Sequence, residues 1–342
     1  MRENVPISSL TTMRLGGAAR FVIEVEEHGD VTEAFRFAEE RNLPVWMMGG
    51  GANTIGRDEG FPGVVVLNRL RGMDVISETE NEIILRGMGG EIWDDFVQFA
   101  TERGFSGIEA MSMIPGTVGA APVQNIGAYG QDIAQVLENV EVFDTRTHEF
   151  MTLEKSELDM TYRHTRFNHG ADAGRFFIVA VTIRLRKKGL EPPFYNSLQK
   201  YIDENHETDF SPMNIRRMVS AIRSEKLPDP KEIASAGSFF KNVYTDRQAT
   251  TDAKAQGIPL WENADGTGKI NSGWLIEACG LKGALLHGMR VSEKAALVLI
   301  NESAKSYSDL AAAREEIIER VEKKFGLKLE QEPVEMVAKG QK

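Results

Sequence analysis

The first hundred residues of the chain change repeatedly between strand spacing and helix spacing. Residues 21–25 are rich in β-branched and aromatic side chains, which predicts a strand. Asp30 followed by Glu33 resembles a capping box and predicts a helix that continues to Arg41. Residues 44–48 then form a short apolar run that ends in three glycines. This order indicates a β-α-β unit that ends in a glycine loop.

The mixture of strands and helices continues to the end of the chain. The clearest strand lies at residues 177–185, where apolar side chains alternate along the chain. The other predicted elements are strands at 83–85 and 140–143 and helices at 91–103, 213–226, 272–279 and 310–325. Basic residues, a glycine and paired prolines coincide in residues 186–193, which predicts a domain boundary near residue 190.

Composition and charge narrow the class of protein. The chain has 342 residues, enough for about two domains. Its 40 basic and 51 acidic residues give a net charge of -11, which would repel a nucleic acid backbone, so no nucleic acid partner is expected. The single cysteine, Cys279, cannot form an internal disulfide, and the scattered histidines predict no metal site. Without a signal peptide or a run of about 18 apolar residues, we expect a cytoplasmic protein that does not insert into a membrane.

Two glycine-rich segments are candidates for ligand binding. Residues 49–54 lack the spacing of both the Rossmann and the P-loop fingerprints, but their glycines allow backbone N–H groups to turn toward an anion. A tight connection between strands explains this segment equally well. Residues 104–130 combine many glycines with apolar side chains, which favours backbone packed closely on a ligand over a flexible loop.

Several separated motifs resemble one family. They are, in chain order, GGGANTIGRDEGFPGVVV from residue 49, IPGTVGAAPVQNIGAYG at 114–130, TYR at 161–163, AGSFFKN at 236–242 and GWLIEACGLKG at 273–283. Together they resemble the UDP-N-acetylenolpyruvoylglucosamine reductase (MurB) family of flavoenzymes, and the resemblance is collinear from about residue 8 to about residue 335.

The resemblance implies an α+β fold with a two-part FAD-binding domain of the PCMH/VAO type, which is not a Rossmann fold. This domain would cover residues 1–189 and divide near residue 68. A smaller α+β substrate-binding domain would cover residues 190–325, and residues 326–342 would return toward the active site. The implied protein is a monomeric cytoplasmic oxidoreductase of peptidoglycan synthesis, and so of cell wall biogenesis, cell shape and cell division.

The implied reaction is the NADPH-dependent reduction of UDP-N-acetylglucosamine enolpyruvate to UDP-N-acetylmuramate, with FAD as the carrier of the hydride. Hydride addition leaves negative charge on the substrate as an enolate, which requires a fixed cation and a proton donor. By the match of motifs, Arg163 would stabilise the enolate, Ser238 would donate the proton, and Glu332 would be the catalytic carboxylate. Outside the family, the same residues would be interpreted as a surface ion pair, a turn serine and a solvated glutamate.

Binding residues follow from the same motifs. Because the glycine loops contain neither histidine nor cysteine, we expect FAD to be bound without a covalent bond. The residues expected to contact FAD are Gly49, Gly50, Gly51, Ala52, Asn53, Thr54, Ile114, Pro115, Gly116, Thr117, Gly119, Ala120, Asn125, Gly127, Ala128, Tyr129 and Gly130. The residues expected to contact the nucleotide sugar are Tyr162, Tyr195, Arg223, Lys226 and Asn242.

The chain also departs from the family pattern. Ala52 stands where the family usually has serine, which removes a hydroxyl from the expected diphosphate contact. Pro333 follows Glu332 where valine is usual, and proline restricts the preceding residue, so it could displace the carboxylate. Two alternatives therefore stay open: a flavin oxidase of an alcohol or sugar on the same fold, and a catalytically silent protein that binds flavin or a nucleotide sugar.

Overall fold

The computed structural model describes residues 1–338, and the N-terminal module comprises residues 2–68. Its elements are the strands β1 (Arg2–Pro6), β2 (Ala18–Val25), β3 (Val45–Met48), β4 (Thr54–Gly56) and β5 (Phe61–Asn68) and the helix α1 (His28–Glu40). Strands β2 and β3 both run parallel to β5, which lies between them, and β1 is antiparallel to β2. The predicted β-α-β unit is therefore confirmed.

The start of α1 differs from the prediction. The helix begins at His28, and its capping box joins Glu27 to Asp30 rather than Asp30 to Glu33. One carboxylate oxygen of Asp30 accepts the backbone N–H groups of Glu26 at 2.8 Å and Glu27 at 3.0 Å. Asp30 thus occupies the third helical position, where a carboxylate reaches back to the capping residue. The helix was predicted correctly, and its capping residue was wrong.

The middle module (residues 73–186) is built on one antiparallel sheet of five strands, in the order β11-β10-β12-β7-β6. Its elements are β6 (Met73–Glu78), β7 (Glu82–Met88), α2 (Trp93–Glu102), β8 (Gly127–Ala128), β9 (Gln131–Asp132), β10 (Leu137–Asp144), β11 (Glu149–Glu154) and β12 (Phe176–Arg186). Strand β12 is the predicted strand at 177–185, and it lies at the centre of the sheet.

Both faces of β12 are covered, which joins the first two modules. Ile178 and Val181 belong to a core cluster that includes Trp93 and Phe96 of α2. Phe177, on the opposite face, belongs to a second cluster that includes residues of α1 and β5. The glycine-rich segment between α2 and β8 forms two short 3₁₀ turns: Glu109–Met111 packs on α2, β8 and β9, and Val118–Gln124 packs on β7 and β12 of this sheet. It is therefore ordered backbone rather than a flexible loop.

Helices α3 (Asn196–Asn205) and α4 (Pro212–Lys226) follow the boundary predicted near residue 190. They pack on each other and around the buried Ala110 of the middle module. The guanidinium of Arg216 in α4 donates two hydrogen bonds to Asp94 of α2, at 2.6 and 2.9 Å. The two helices thus lie against the middle module, and the division of the chain at residue 190 stays a prediction.

The C-terminal module (residues 235–338) carries the remaining elements. They are β13 (Ser235–Ser238), β14 (Val243–Thr245), α5 (Arg247–Ala255), β15 (Leu260–Glu262), β16 (Gly268–Ile270), α6 (Ser272–Ala278), β17 (Leu285–Leu286), β18 (Met289–Val291), β19 (Val298–Asn301), α7 (Tyr307–Phe325) and β20 (Val334–Met336). Two sheets have the orders β13-β19-β18-β17 and β14-β16-β15.

The end of the chain returns to the N-terminal module. Strand β20 pairs in parallel with β4, with Val334 opposite Thr54 and Met336 opposite Gly56. Met13, Leu15 and Ile55 of the N-terminal module are buried in the core of the C-terminal module. Over residues 1–338, no helix is both long and apolar enough to cross a membrane. The mixed helices and sheets confirm the predicted α+β class.

Candidate active site

Arg163 and Glu332 form an ion pair although 169 positions separate them in the chain. The Nε of Arg163 donates to Glu332 Oε1 at 2.7 Å, and the two side chains are only 18% and 12% exposed. The Nη1 of Arg163 also donates to the backbone oxygen of Asn125 at 3.2 Å. An arginine fork held at two points keeps a fixed direction, as electrostatic stabilisation of a developing anion requires.

The backbone of Arg163 lies in the left-handed region, with φ +55°. A tight turn between Thr161 and His164 imposes this conformation, and the side chain of Asn168 donates to the Arg163 carbonyl oxygen at 3.0 Å. Such a conformation is unfavourable for a residue with a side chain, so the surrounding contacts must hold it in place. The turn directs the guanidinium toward Glu332.

Glu332 is fixed from both sides along the chain. Its N–H donates to the Phe239 carbonyl oxygen at 2.9 Å, and the N–H of Val334 donates to the Asn53 carbonyl oxygen at 2.9 Å. Pro333, which the sequence suggested could displace the carboxylate, leaves Glu332 in contact with Arg163. Proline favours extended backbone in the preceding residue, which suits the strand that follows.

Ser238 lies at the end of β13, directly before the residue that accepts the N–H of Glu332. Gly237, with φ +67°, turns the chain immediately before it. Ser238 is half-buried. The three residues predicted to be catalytic, which come from three distant segments, therefore lie in one corner of the molecule.

The two segments predicted to bind FAD meet through their backbones. A Cβ atom on Gly50 would lie 3.4 Å from Cα of Gly116, and one on Gly49 would lie 2.3 Å from Thr117 Oγ1. The side chain of Asn53 donates to Gln124 Oε1 at 2.8 Å, which ties the two loops together. A side chain at Gly49 would collide with Thr117 and push the loops apart, whereas at Gly50 a Cβ would just touch Gly116.

Two carbonyl groups of the loop at residues 49–54 accept hydrogen bonds from Thr12. The N–H of Thr12 donates to the Gly51 oxygen at 3.2 Å, and its hydroxyl to the Ala52 oxygen at 3.4 Å. Because C=O and N–H point in opposite directions across a trans peptide, the N–H groups of Ala52 and Asn53 face away from Thr12. This arrangement suits an anion, and it does not depend on the hydroxyl that Ala52 lacks.

Three buried polar atoms around these loops have no hydrogen bond partner within residues 1–338: Thr11 Oγ1, Trp46 Nε1 and Thr117 Oγ1. Buried donors and acceptors are normally paired, so the unpaired hydroxyls of Thr117 beside Gly49 and Thr11 beside Gly51 leave hydrogen bonds for polar groups of a ligand. Gly116, with φ +129°, has open space where a Cβ would stand. The residues of the two loops therefore fit a phosphate-containing cofactor such as FAD.

Other residues expected to contact FAD lie further along the same segment. Asn125 is buried, and its side chain bonds the Thr161 carbonyl oxygen at 3.2 Å and the Ala134 N–H at 3.1 Å, so it supports the turn that carries Arg163. Tyr129 stacks edge to face with Tyr195 at 5.8 Å. It is thus next to a residue expected to bind the nucleotide sugar.

An open cavity of about 1730 Å³ lies beside the corner with Arg163. The expected binding residues that line it are Tyr129, Gly130, Tyr195 and Asn242. The side chain of Asn242 accepts the N–H of Ser272 at 3.3 Å, which fixes it at the cavity wall. The cavity is large enough for an extended polar ligand.

Comparisons with known proteins agree with this geometry. Two family models match: "FAD binding domain" over residues 19–151 and "UDP-N-acetylenolpyruvoylglucosamine reductase, C-terminal domain" over residues 229–336. The protein named UDP-N-acetylenolpyruvoylglucosamine reductase in Chromobacterium violaceum is 36% identical over 337 residues, 97% of this chain and 98% of that protein. Its namesake in Pseudomonas aeruginosa is 34% identical over 341 residues, with the same coverage. The chain belongs to the MurB family.

A solved structure has the same overall fold. The crystal structure of MurB from Thermus caldophilus superposes with a TM-score of 0.68 at 24% identity, over 98% of both chains. The family model over residues 19–151 confirms the expected FAD-binding domain and the cofactor FAD.

Lys269 lines the same cavity, and the sequence motifs did not point to it. Its Nζ lies 5.5 Å from the ring centre of Tyr162 and 5.8 Å from that of Tyr244, and the two rings are 4.7 Å apart. Burial is the main cause that lowers the pKa of Lys269, and the positive charge of Arg163 lowers it further. Lys269 lines the cavity and has no carboxylate partner within the described residues. The only feature of the sequence that could have pointed to this residue is its place four residues before the motif GWLIEACGLKG.

Arg223 and Lys226, the expected MurB substrate cations, both lie on α4. Lys226 is exposed in the last turn, whereas burial lowers the pKa of Arg223. Arg223 Nη2 donates to the Met113 carbonyl oxygen at 3.2 Å, and its Nε has no partner within residues 1–338. The two cations are therefore suited to different tasks, Arg223 as a half-buried donor with a fixed backbone contact and Lys226 as an exposed surface charge.

Proposed function

We propose that this chain catalyses the NADPH-dependent reduction of UDP-N-acetylglucosamine enolpyruvate to UDP-N-acetylmuramate, with non-covalently bound FAD. The observation that carries the proposal is the Arg163–Glu332 ion pair, held at 2.7 Å in the corner that also contains Ser238. The family matches over nearly the full chain support the same reaction. An oxidase of alcohols or sugars would not need this combination of cation, hydroxyl and carboxylate.

Bound FAD supplies the two-electron chemistry, because it can accept a hydride from NADPH and deliver it to the vinyl carbon of the substrate. Arg163 stabilises the negative charge that this addition leaves on the substrate carboxylate. Its fork is already directed by Glu332 and by the Asn125 carbonyl oxygen, so it needs no reorganisation during the reaction. NADPH, one proton and the enolpyruvyl sugar thus give NADP⁺ and the reduced sugar.

Ser238 donates the proton to the carbon next to the one that receives the hydride. A serine hydroxyl is a weak acid, so it transfers its proton only to a strongly basic carbon such as that of an enolate. Glu332 keeps Arg163 oriented through the 2.7 Å contact and places a second ionisable group in the same corner. The proton lost by Ser238 is replaced from solvent between turnovers.

The nucleotide sugar occupies the open cavity. Lys269, at the cavity wall, supplies positive charge for the diphosphate, and Tyr195 and Asn242 contact the rest of the nucleotide sugar. Lys226 adds an exposed positive charge at the end of α4. Lys269 suits this role because it is half-buried, its ammonium lies beside the paired rings of Tyr162 and Tyr244, and it has no anionic partner within the described residues. The protein acts as a cytoplasmic monomer in peptidoglycan synthesis, and through it in cell shape and division.

Exchange of Ser238 for alanine tests the assignment. In S238A we expect reduction of the flavin by NADPH to keep its rate, while formation of UDP-N-acetylmuramate falls by at least about 100-fold. The product is measured by mass spectrometry as the substrate mass plus two hydrogens. S235A, in the same strand, is the control and should form product at the wild-type rate. Normal product formation by S238A would remove this residue from the mechanism.

A further inference from the structure

Glu335 lies three residues after Glu332 and at the centre of a network of side chains. Its Oε2 accepts hydrogen bonds from Arg57 Nε at 2.9 Å and Nη2 at 2.5 Å. Its Oε1 accepts from Arg314 Nη1 at 2.6 Å and from the Tyr307 hydroxyl at 2.8 Å. We call Arg57, Tyr307, Arg314 and Glu335 the C-terminal clamp.

The C-terminal clamp joins three parts of the fold. Arg57 directly follows β4, the strand that leaves the glycine loop, while Tyr307 and Arg314 belong to α7. Next to Arg57, the carboxylate of Asp58 accepts the N–H of Tyr307 at 2.6 Å, so the same loop also holds the start of α7. Glu335 itself lies in β20, the strand that pairs with β4.

The clamp also reaches both neighbours of Glu332. Nη1 of Arg314 donates to Gln331 Oε1 at 2.9 Å, and Nε2 of Gln331 donates to the Pro333 carbonyl oxygen at 2.7 Å. The residues before and after Glu332 are therefore tied to Glu335 through one guanidinium. These contacts add to the backbone hydrogen bonds that Glu332 and Val334 make on either side of Pro333.

The charge of Glu335 is maintained in spite of burial. Its side chain is 16% exposed, as is that of Arg314. Burial would raise the pKa of Glu335, but hydrogen bonds from Arg57, Tyr307 and Arg314 hold it below the usual value. A partly buried carboxylate with three donors is costly to neutralise, because its donors would lose their partner.

We propose that Glu335 is a positioning residue: it sets the place of the Glu332 carboxylate against Arg163 and couples it to the strand that leaves the glycine loop. This inference rests on the proposed function for its kinetic consequence. Displacement of a catalytic group by about 1 Å costs about 100-fold in rate. Loss of the clamp should therefore act on the reaction with the enolpyruvyl sugar and not on flavin reduction by NADPH.

The test uses E335Q, with E59Q as the matched control. Glu59 also faces Arg57, at 3.8 Å, but its side chain is 61% exposed. For E335Q we expect flavin reduction by NADPH within twofold of wild type, and flavin reoxidation by the enolpyruvyl sugar slower by about tenfold to 100-fold. Amide hydrogen exchange in residues 331–336 should become faster, because the N–H groups of Glu332 and Val334 are held there. E59Q should change none of these.

A double variant decides whether the effect passes through Glu332. If it does, reoxidation in the E332Q/E335Q double variant should be less than about twofold slower than in E332Q alone, because the effects of residues that act as one unit do not add. A fully additive loss, equal losses in both half-reactions, or unchanged amide hydrogen exchange would overturn the proposal.

If wild-type enzyme is not reoxidised by the sugar, the proposed function fails, and the comparison of amide hydrogen exchange still decides for or against the C-terminal clamp. If E335Q does not fold, E335D keeps the charge, and its flavin reoxidation by the sugar should slow by a smaller factor while flavin reduction by NADPH is unchanged.

Discussion

Replacing Arg163 by methionine removes the cation of the site and leaves the shape of the side chain similar. Two contacts disappear: the 2.7 Å hydrogen bond to Glu332 and the 3.2 Å bond to the Asn125 carbonyl oxygen. Loss of one preorganised donor at a developing anion costs about 3–4 kcal/mol. Since 1.36 kcal/mol corresponds to a factor of ten, flavin reoxidation by the enolpyruvyl sugar should slow by about 100- to 1000-fold in R163M.

R163K separates charge from geometry. Lysine keeps the positive charge, but one ammonium on a flexible stem does not reproduce the planar fork that contacts Glu332 and Asn125 together. The loss of one hydrogen bond costs about 1.5 kcal/mol, so R163K should be slower than wild type by about tenfold. The left-handed backbone conformation at this position is equally unfavourable for lysine, methionine and arginine.

Anaerobic stopped-flow absorbance measures the two half-reactions separately. Reduction by NADPH should stay within about twofold of wild type in both variants, because Arg163 acts on the sugar. R166M is the control, since Arg166 pairs with Asp172 at 2.7 Å, outside the corner with Glu332. Wild-type reoxidation in R163M, or an equal loss in R166M, would refute the reasoning.

Three further predictions concern the loops, the cavity and acid stability. G51A should unfold at lower urea than G104A, because both glycines have positive φ but only at Gly51 would a Cβ meet a backbone oxygen, at 2.1 Å. K269M should raise the Kd of the nucleotide sugar in equilibrium titrations and leave flavin reduction by NADPH unchanged. Hydrogen bonds from Arg175 lower the pKa of Asp144 to about 2 from 3.8, so this carboxylate stabilises the fold above pH 3.8 and loses that contribution as the pH falls through about 2. Thermal unfolding of D144N from pH 5 to pH 2 should show less of this acid-induced loss than wild type.

The local elements could be predicted because their signals are local. Residues 177–185 alternate apolar side chains over nine positions, and the structure places a strand there. The end of α4 at Lys226 was also predicted correctly. The capping residue of α1 was not, because Asp30 can cap a helix either as the first residue or from the third position, and sequence alone does not distinguish the two.

The contacts between distant segments could not be read from spacing. The Arg163–Glu332 ion pair depends on β20 pairing with β4, and no hydrophobic periodicity in the sequence predicts that the two strands pair. Family motifs named both residues, but the clamp around Glu335 has no motif of its own. Lys269 was missed because a single lysine in a short strand has no local pattern that distinguishes it from a surface residue.

The most direct test of the central claim is an anaerobic titration that follows the visible absorbance of the flavin. NADPH is added first and UDP-N-acetylglucosamine enolpyruvate second. We expect NADPH to bleach the flavin and the sugar to restore its colour, with formation of UDP-N-acetylmuramate. Bleaching without recovery would contradict the proposed substrate, and a protein that binds no FAD would contradict the account as a whole.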